Sequence, residues 1–199
     1  MATLHAVKPR FQALLRPLAD AAAALGVTAN AVTLAALGLS LVYGALLAAS
    51  DGATSVLLGL PAVLLVRMAL NAVDGLLARE HGQASRLGGR LNEIGDMVSD
   101  LALCLPFALF LAPAWPVVLA VILALLAEAA GVIAAVHGGA RRYDGPLGKA
   151  DRALLYALVA LAQALVGLPP ALVIAIFAAA AVASVVTALN RLAGGLRDG

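Results

Sequence analysis

Six stretches of about 20 predominantly apolar residues constrain this chain more than any other feature. They run at about 30–50, 54–79, 88–112, 114–138, 152–168 and 170–192. A helix of about 20 apolar residues is long enough to cross the hydrocarbon core of a bilayer. The interruptions carry turn chemistry: Ser50-Asp51-Gly52, Gly82 with Gly88-Gly89, Pro113-Ala114-Trp115-Pro116, Gly138-Gly139, and Gly167-Leu168-Pro169-Pro170. Hydrophobic residues make up 63% of the chain and charged residues only 12%, with a mean hydropathy of +1.02. Too few polar side chains exist to cover a soluble domain of 199 residues. The expectation is an all-α integral membrane protein with six transmembrane helices, a single domain over 1–199.

The basic residues test this layout independently. Lys8, Arg10 and Arg16 precede the first span, and Arg79, Arg86 and Arg90 flank the second break. Arg141, Arg142, Lys149 and Arg152 flank the fourth break, and Arg191 and Arg197 follow the last span. Only Arg67 lies within a span and apart from these groups. The positive-inside rule assigns their common side to the cytoplasm, so both termini should be cytoplasmic and the number of spans even. The inner (cytoplasmic) cell membrane is the expected location. In residues 1–26, Phe11, Leu14, Leu15, Leu18, Ala22 and Leu25 follow helical spacing among Lys8, Arg10 and Arg16. A helix lying in the cytoplasmic interface has this pattern, as does a short soluble helix; residues 27–199 then form the six-helix bundle. Pro17 breaks the stretch, and no cleavage site follows an apolar core, so it does not read as a signal peptide. The single cysteine, Cys104, excludes a disulfide within the chain, and His5, His81 and His137 lack zinc-ligand spacing. No nucleic-acid partner is expected.

Most of the chemistry lies between Arg67 and Asp100. Arg67, Asn71, Asp74 and Ala78 share one face of the second span, and Asn92, Asp96 and Asp100 share one face of the third. If the two spans form an antiparallel hairpin turning near 83–84, Asp74 lies level with Glu93, Asn71 with Asp96, and Arg67 with Asp100. Such faces would build a cup of oxygen ligands suited to a hard cation, Mg²⁺, Mn²⁺ or Ca²⁺. Gly75, Ala78 and Gly88 remove bulk beside the acids, although small residues also serve helix packing. Arg86 and Arg90 equally suit the role of topological anchors. Asp100 has two readings, an ion pair with Arg67 or a metal ligand, and Glu128 is a further candidate partner for Arg67. Asp74 and Asp96 have no such plain partner.

Asn71, Asp74-Gly75, Ala78-Arg79, Gly88, Asn92 and Asp96 resemble the signature of the CDP-alcohol phosphotransferase family, Asp-x-x-Asp-Gly-x-x-Ala-Arg, eight residues, Gly-x-x-x-Asp-x-x-x-Asp. Six of the eight positions match, and Asn71 and Asn92 replace aspartates. Gly26-Val27-Thr28-Ala29-Asn30-Ala31-Val32-Thr33 also resembles the family's approach to its first transmembrane helix. The resemblance implies transfer of a phosphatidyl or similar group from a CDP-alcohol, such as CDP-diacylglycerol, to a second alcohol with release of CMP. It implies Asp74 as a metal ligand and Asp96 as the catalytic base or a shared ligand. Asn71, Asn92 and Asp100 are the remaining candidate ligands, and Gly75, Ala78, Gly88 and Arg79 would line the nucleotide and its phosphates. Two missing carboxylates favour one Mg²⁺ or Mn²⁺ ion over two, since asparagine keeps a ligating oxygen but no charge.

Gly148-Lys149, opening the fifth span, resembles the family's basic segment for the acceptor alcohol. Arg142, Lys149, Arg152 and Arg191 are therefore candidate acceptor-binding residues, suited to a phosphorylated acceptor, although a cytoplasmic loop carries such charges for topology alone. Gly- and Ala-rich faces would permit a homodimer. The competing function is a catalytically impaired member of the family that binds CDP-lipid without turnover. A transporter using Arg67, Asp100 and Glu128 would call for paired broken helices, which the chain does not show.

Overall fold

The structure is a computed structural model describing residues 8–136 and 142–195. Gly138-Gly139, Arg141 and Arg197 lie outside these residues, as do both ends of the expected domain. Within the described residues the chain forms helices and no strand. They are α1 (Lys8–Ala24), α2 (Ala29–Ala49), α3 (Thr54–Glu80), α4 (Arg86–Cys104), α5 (Phe107–Phe110), α6 (Ala114–Val136), α7 (Lys149–Val166) and α8 (Pro170–Gly195).

Local chemistry sets most boundaries. Gly26, at φ 75°, turns the chain out of α1, and the Thr28 side chain accepts the Ala31 N–H at 3.2 Å to cap α2. Ser85 caps α4 by accepting the Gly88 N–H at 2.9 Å. Asp151 reaches back from the first turn of α7 to accept the Gly148 N–H at 3.0 Å. The loop from α3 to α4 is tied to the start of α2 by Gln83. Its Oε1 accepts the Ala29 N–H at 2.6 Å, and its Nε2 donates to the Val27 carbonyl at 3.3 Å.

The third apolar stretch departs from expectation. It was expected to run unbroken to 112, but α4 ends at Cys104, and a single turn, α5, follows Pro106. Proline has no N–H to give the carbonyl four residues back and crowds it sterically. That carbonyl belongs to Ala102. It packs against Gly44 of α2 so closely that a Cβ on Gly44 would collide with the Ala102 backbone. The proline thus frees a carbonyl where a glycine admits it.

Four helices are long and apolar enough to cross a membrane: Ala29–Ala49, Thr54–Glu80, Ala114–Ala135 and Pro170–Gly195. α4 and α7 fall short because they carry the charges, including Asp96 and Asp100 on one and Lys149 and Arg152 on the other. The exterior is apolar, with Val42, Leu65, Val66, Leu119, Ile122, Leu126 and Val182 all exposed. Such a surface needs lipid around it. A shared core of Leu47, Leu60, Leu103, Phe107, Tyr156 and Phe177 joins α2, α3, α4, α5, α7 and α8. α1 seats Ala19 against Val32, Val73 and Leu76 but leaves Leu14, Leu18 and Leu25 exposed.

The packing of α3 and α4 positions everything that follows. The two helices barely touch; each packs instead on α2, while α7 packs on α3 and α6 on α8. A tight hairpin would have closed the space between the α3 and α4 faces. Here side chains must bridge it.

Gly44→Ala is expected to lower the unfolding midpoint in detergent by the equivalent of about 1–3 kcal/mol, the usual cost of overpacking. Gly38→Ala, on the same helix but with open space at its Cβ position, should leave the midpoint unchanged or slightly raised. Thermal unfolding of both variants checks this.

Candidate active site

The motif residues meet across the space that α2 holds open. Asn71 of α3 donates from Nδ2 to Asp96 Oδ1 of α4 at 2.9 Å. One turn deeper, Arg67 Nη1 lies 2.7 Å from Asp100 Oδ1. Both pairs fall at the levels the antiparallel register predicts. Arg67, only 3% exposed, also donates from Nη2 to the Asp96 main-chain oxygen at 3.1 Å and approaches the Asp96 carboxylate at 3.5 Å. Lys149, the first residue of α7, contacts the same Asp96 oxygen. Asp96 is therefore held by an amide and two cations. Asp100 lies between guanidinium groups, with Arg152 Nη2 2.7 Å from its second oxygen.

Asp74 is placed differently. It is 2% exposed, and its Oδ2 accepts a hydrogen bond from Thr33 Oγ1 of α2 at 2.8 Å. Its Oδ1 is buried without a hydrogen-bond partner among the described residues. A buried carboxylate oxygen without a donor is costly, and a hard cation would remove that cost. Among the described residues, no three His, Cys, Asp or Glu side chains converge as a metal cluster. The unpartnered oxygen of Asp74 fits a hard cation, and Asn71 and Asn92 on the facing helices carry amide oxygens of the kind such an ion accepts. Asp100, engaged by two arginines, is bound in an ion-pair network, and Asn92 lies half-buried one turn before Asp96.

The small residues sit beneath polar groups. A Cβ on Gly75 would come 3.0 Å from Nη1 of Arg79, so the guanidinium folds back over this glycine. A Cβ on Gly88 would come 2.7 Å from Asn30 Oδ1 and 2.9 Å from Ser85 Oγ. Ala78 is half-buried one turn beyond Asp74.

The candidate acceptor residues separate into two groups. Lys149 and Arg152 join the motif carboxylates, and Arg152 Nη2 also lies 2.9 Å from Glu128 Oε1 of α6. Arg191 reaches this network only through Glu128, and Arg142 lies beyond it. Arg191, 2% exposed, donates to the Ala127 carbonyl at 2.7 Å and the Asp144 carbonyl at 3.3 Å, and lies 3.4 Å from Glu128. Arg142 pairs with Asp144 at 2.7 Å and lies over Gly194. Glu128, a candidate partner for Arg67 by sequence, pairs with Arg152 and Arg191 instead.

Thr33, Gln83 and the link from Lys149 to Asp96 escaped the sequence reading. Thr33 had a signal, a hydroxyl on an apolar span three residues after Asn30; Gln83 and the lysine link had none, since both join distant segments.

Breaking a buried ion pair by removing one partner costs about 3–5 kcal/mol. Arg152→Met removes one cation from Glu128 and one from Asp100 and should lower the unfolding midpoint strongly. Adding Glu128→Gln to Arg152→Met should recover part of that loss, as expected of coupled groups. Unfolding of the single and double variants in detergent reads both effects.

The CDP-alcohol phosphatidyltransferase family model matches residues 26–189. Inner membrane protein YnbA of Escherichia coli (strain K12) is 51% identical over 165 residues, covering 82% of this chain and 81% of that protein. Among solved structures, the phosphatidylinositol phosphate synthase PgsA1 of Mycobacterium tuberculosis is similar in two states. With manganese and citrate it aligns at TM-score 0.75 and 22% identity, covering 92% of this chain and 88% of that one. With CDP-DAG bound the TM-score is 0.75 and the identity 23%, covering 91% and 92%. The motif, the helical layout and the extent of the match together make this chain a member of the CDP-alcohol phosphatidyltransferase family.

Proposed function

We propose that the protein transfers a substituted phosphate, a phosphatidyl group in the first instance, from a CDP-alcohol such as CDP-diacylglycerol to a second alcohol, releasing CMP. The observation that carries this reading is Asp74, buried, with one oxygen held by Thr33 and the other left without a partner. A functional site supplies what the fold does not. Asp74, with amide oxygens of Asn71 and Asn92, would hold one Mg²⁺ or Mn²⁺ ion. Such an ion neutralises charge on the pyrophosphate and on departing CMP. Gly75, Ala78 and Gly88 would line the nucleotide, and Arg79, folded over Gly75, would turn to its phosphates.

The two asparagines support one ion over two. Relative to the family pattern they remove two negative charges, the charge of one divalent ion. Lys149 and Arg67 already supply fixed positive charge at Asp96. A general base must reach the proton it takes, and Asp96 does so once Lys149 moves off its carboxylate. A phosphorylated acceptor, such as glycerol 3-phosphate or an inositol phosphate, offers Lys149 a competing anion. Binding the acceptor then frees the base beside the acceptor's own hydroxyl. Arg152 stays with Asp100 and Glu128 and fixes α7, while Arg142 and Arg191 hold the loop before it against α6 and α8.

The topology belongs to the same proposal. α4 and α7, neutralised by each other's charges, cross the bilayer with the four apolar helices, giving six spans in the inner membrane. Both termini and the site face the cytoplasm, with Leu14, Leu18 and Leu25 of α1 in the interface.

In proteoliposomes containing CDP-diacylglycerol and Mn²⁺ or Mg²⁺, a screen of alcohol acceptors should find one that drives CMP release. Asp74→Asn and Asp96→Asn should each reduce that release by about 10²–10⁴-fold, the range for loss of acid–base or metal assistance. Full activity in either variant would remove the role assigned to that residue, and CDP-lipid binding without turnover under every acceptor would identify an inactive relative. Asn71→Asp replaces the donor to Asp96 with a like charge and should lower CMP release; a metal-dependent gain would show instead that the asparagine impairs the site.

A further inference from the structure

We propose that Thr33, outside the motif and on a different helix, is the positioning residue that decides which oxygen of Asp74 is offered to the cation. The inference rests on the one-cation reading of the site above. Thr33 lies on α2, the helix on which both α3 and α4 pack, and is 7% exposed. Its two branches reach the two halves of the motif. The hydroxyl is 2.8 Å from Asp74 Oδ2 on α3, and the methyl lies 3.8 Å from where a Cβ on Gly95 of α4 would sit, one residue before Asp96.

The hydroxyl carries a single proton and has two acceptors in reach. Besides Asp74, the Ala29 carbonyl of its own helix lies 3.1 Å away. An ionised carboxylate is the stronger acceptor, and the nearer distance agrees. With that proton on Oδ2, Oδ1 is the oxygen left without a partner. β-branching restricts the threonine rotamer. The start of α2 is anchored by the Thr28 cap and by Gln83 on both sides of it, so the hydroxyl itself is held in place. Residues that hydrogen-bond a metal-binding carboxylate set its orientation and typically contribute about 10–100-fold in metal affinity.

Mn²⁺ binding to the full-length protein in detergent, followed by loss of the free-ion paramagnetic resonance signal without nucleotide, tests this directly. Thr33→Val keeps the shape and the methyl contact but removes the hydroxyl. It should weaken Mn²⁺ binding by about 10–100-fold. Thr33→Ser restores the hydroxyl without the methyl and should bind within about twofold of the wild type, since the donor to Asp74 is kept. Wild-type affinity in Thr33→Val overturns the proposal. So does equal weakening in Thr33→Ser and Thr33→Val, because the hydroxyl that serine keeps is then not what sets the affinity. Absence of Mn²⁺ binding in the wild type overturns the cation site itself, and the role of Thr33 with it; binding that Asp74→Asn abolishes but Thr33→Val leaves intact overturns the role of Thr33 alone.

Discussion

Charge pairing inside an apolar bundle is the constraint on which the rest of this structure depends. An unpaired charge in a low-dielectric interior is costly, and a pair is tolerated only when its partners and hydrogen bonds are in place. Here Arg67 joins α3 to α4 through Asp100 and Asp96. Arg152 joins α7 to α4 and α6 through Asp100 and Glu128, and Arg191 brings in α8. Helices that share little apolar contact, such as α3 and α4, are thereby fixed relative to one another. Asp74 is the exception: among the described residues no cation forms an ion pair with it, and its carboxylate is held by the neutral hydroxyl of Thr33. The difference between Asp74 and the other carboxylates is the physical basis for placing a cation there.

The space between α3 and α4 exists because α2 packs on both. Gly44 allows the Ala102 backbone to approach α2 at one level, and the Thr33 methyl faces Gly95 of α4 at another. α2 therefore acts as a spacer whose small-residue contacts set how far apart the facing carboxylates lie. Metal and nucleotide chemistry needs such tolerances held tightly, because a misplaced ligand forfeits much of the benefit of positioning.

Much of this was legible in the sequence. Hydropathy outlined the helices, and helical periodicity put Arg67, Asn71 and Asp74 on one face. Equal rise per residue brought Asn71 level with Asp96 and Arg67 level with Asp100, as the structure pairs them. Tertiary packing decides the remainder. Residues 105–112 remain apolar past Pro106, so hydropathy alone carries the third helix through a real break. Chain connectivity implied that α3 and α4 pack as a hairpin, and nothing local reveals that α2 holds them apart. Lys149 is a candidate acceptor ligand through the resemblance of Gly148-Lys149 to the family's basic segment; its contact with Asp96 depends on how α7 docks on α3, which no short-range pattern encodes.

The buried charges also divide unevenly along the chain. The segment through α6 contributes Asp74, Asp96, Asp100 and Glu128 but only Arg67 to offset them, whereas α7 and α8 contribute Lys149, Arg152 and Arg191. Neither portion is electrically self-sufficient. During synthesis, the first portion emerges with an excess of carboxylates that only the last two long helices can neutralise. α4, the least apolar of the long helices after α1, thus depends on α7 for its charge balance, and the candidate site is complete only when the two portions have come together.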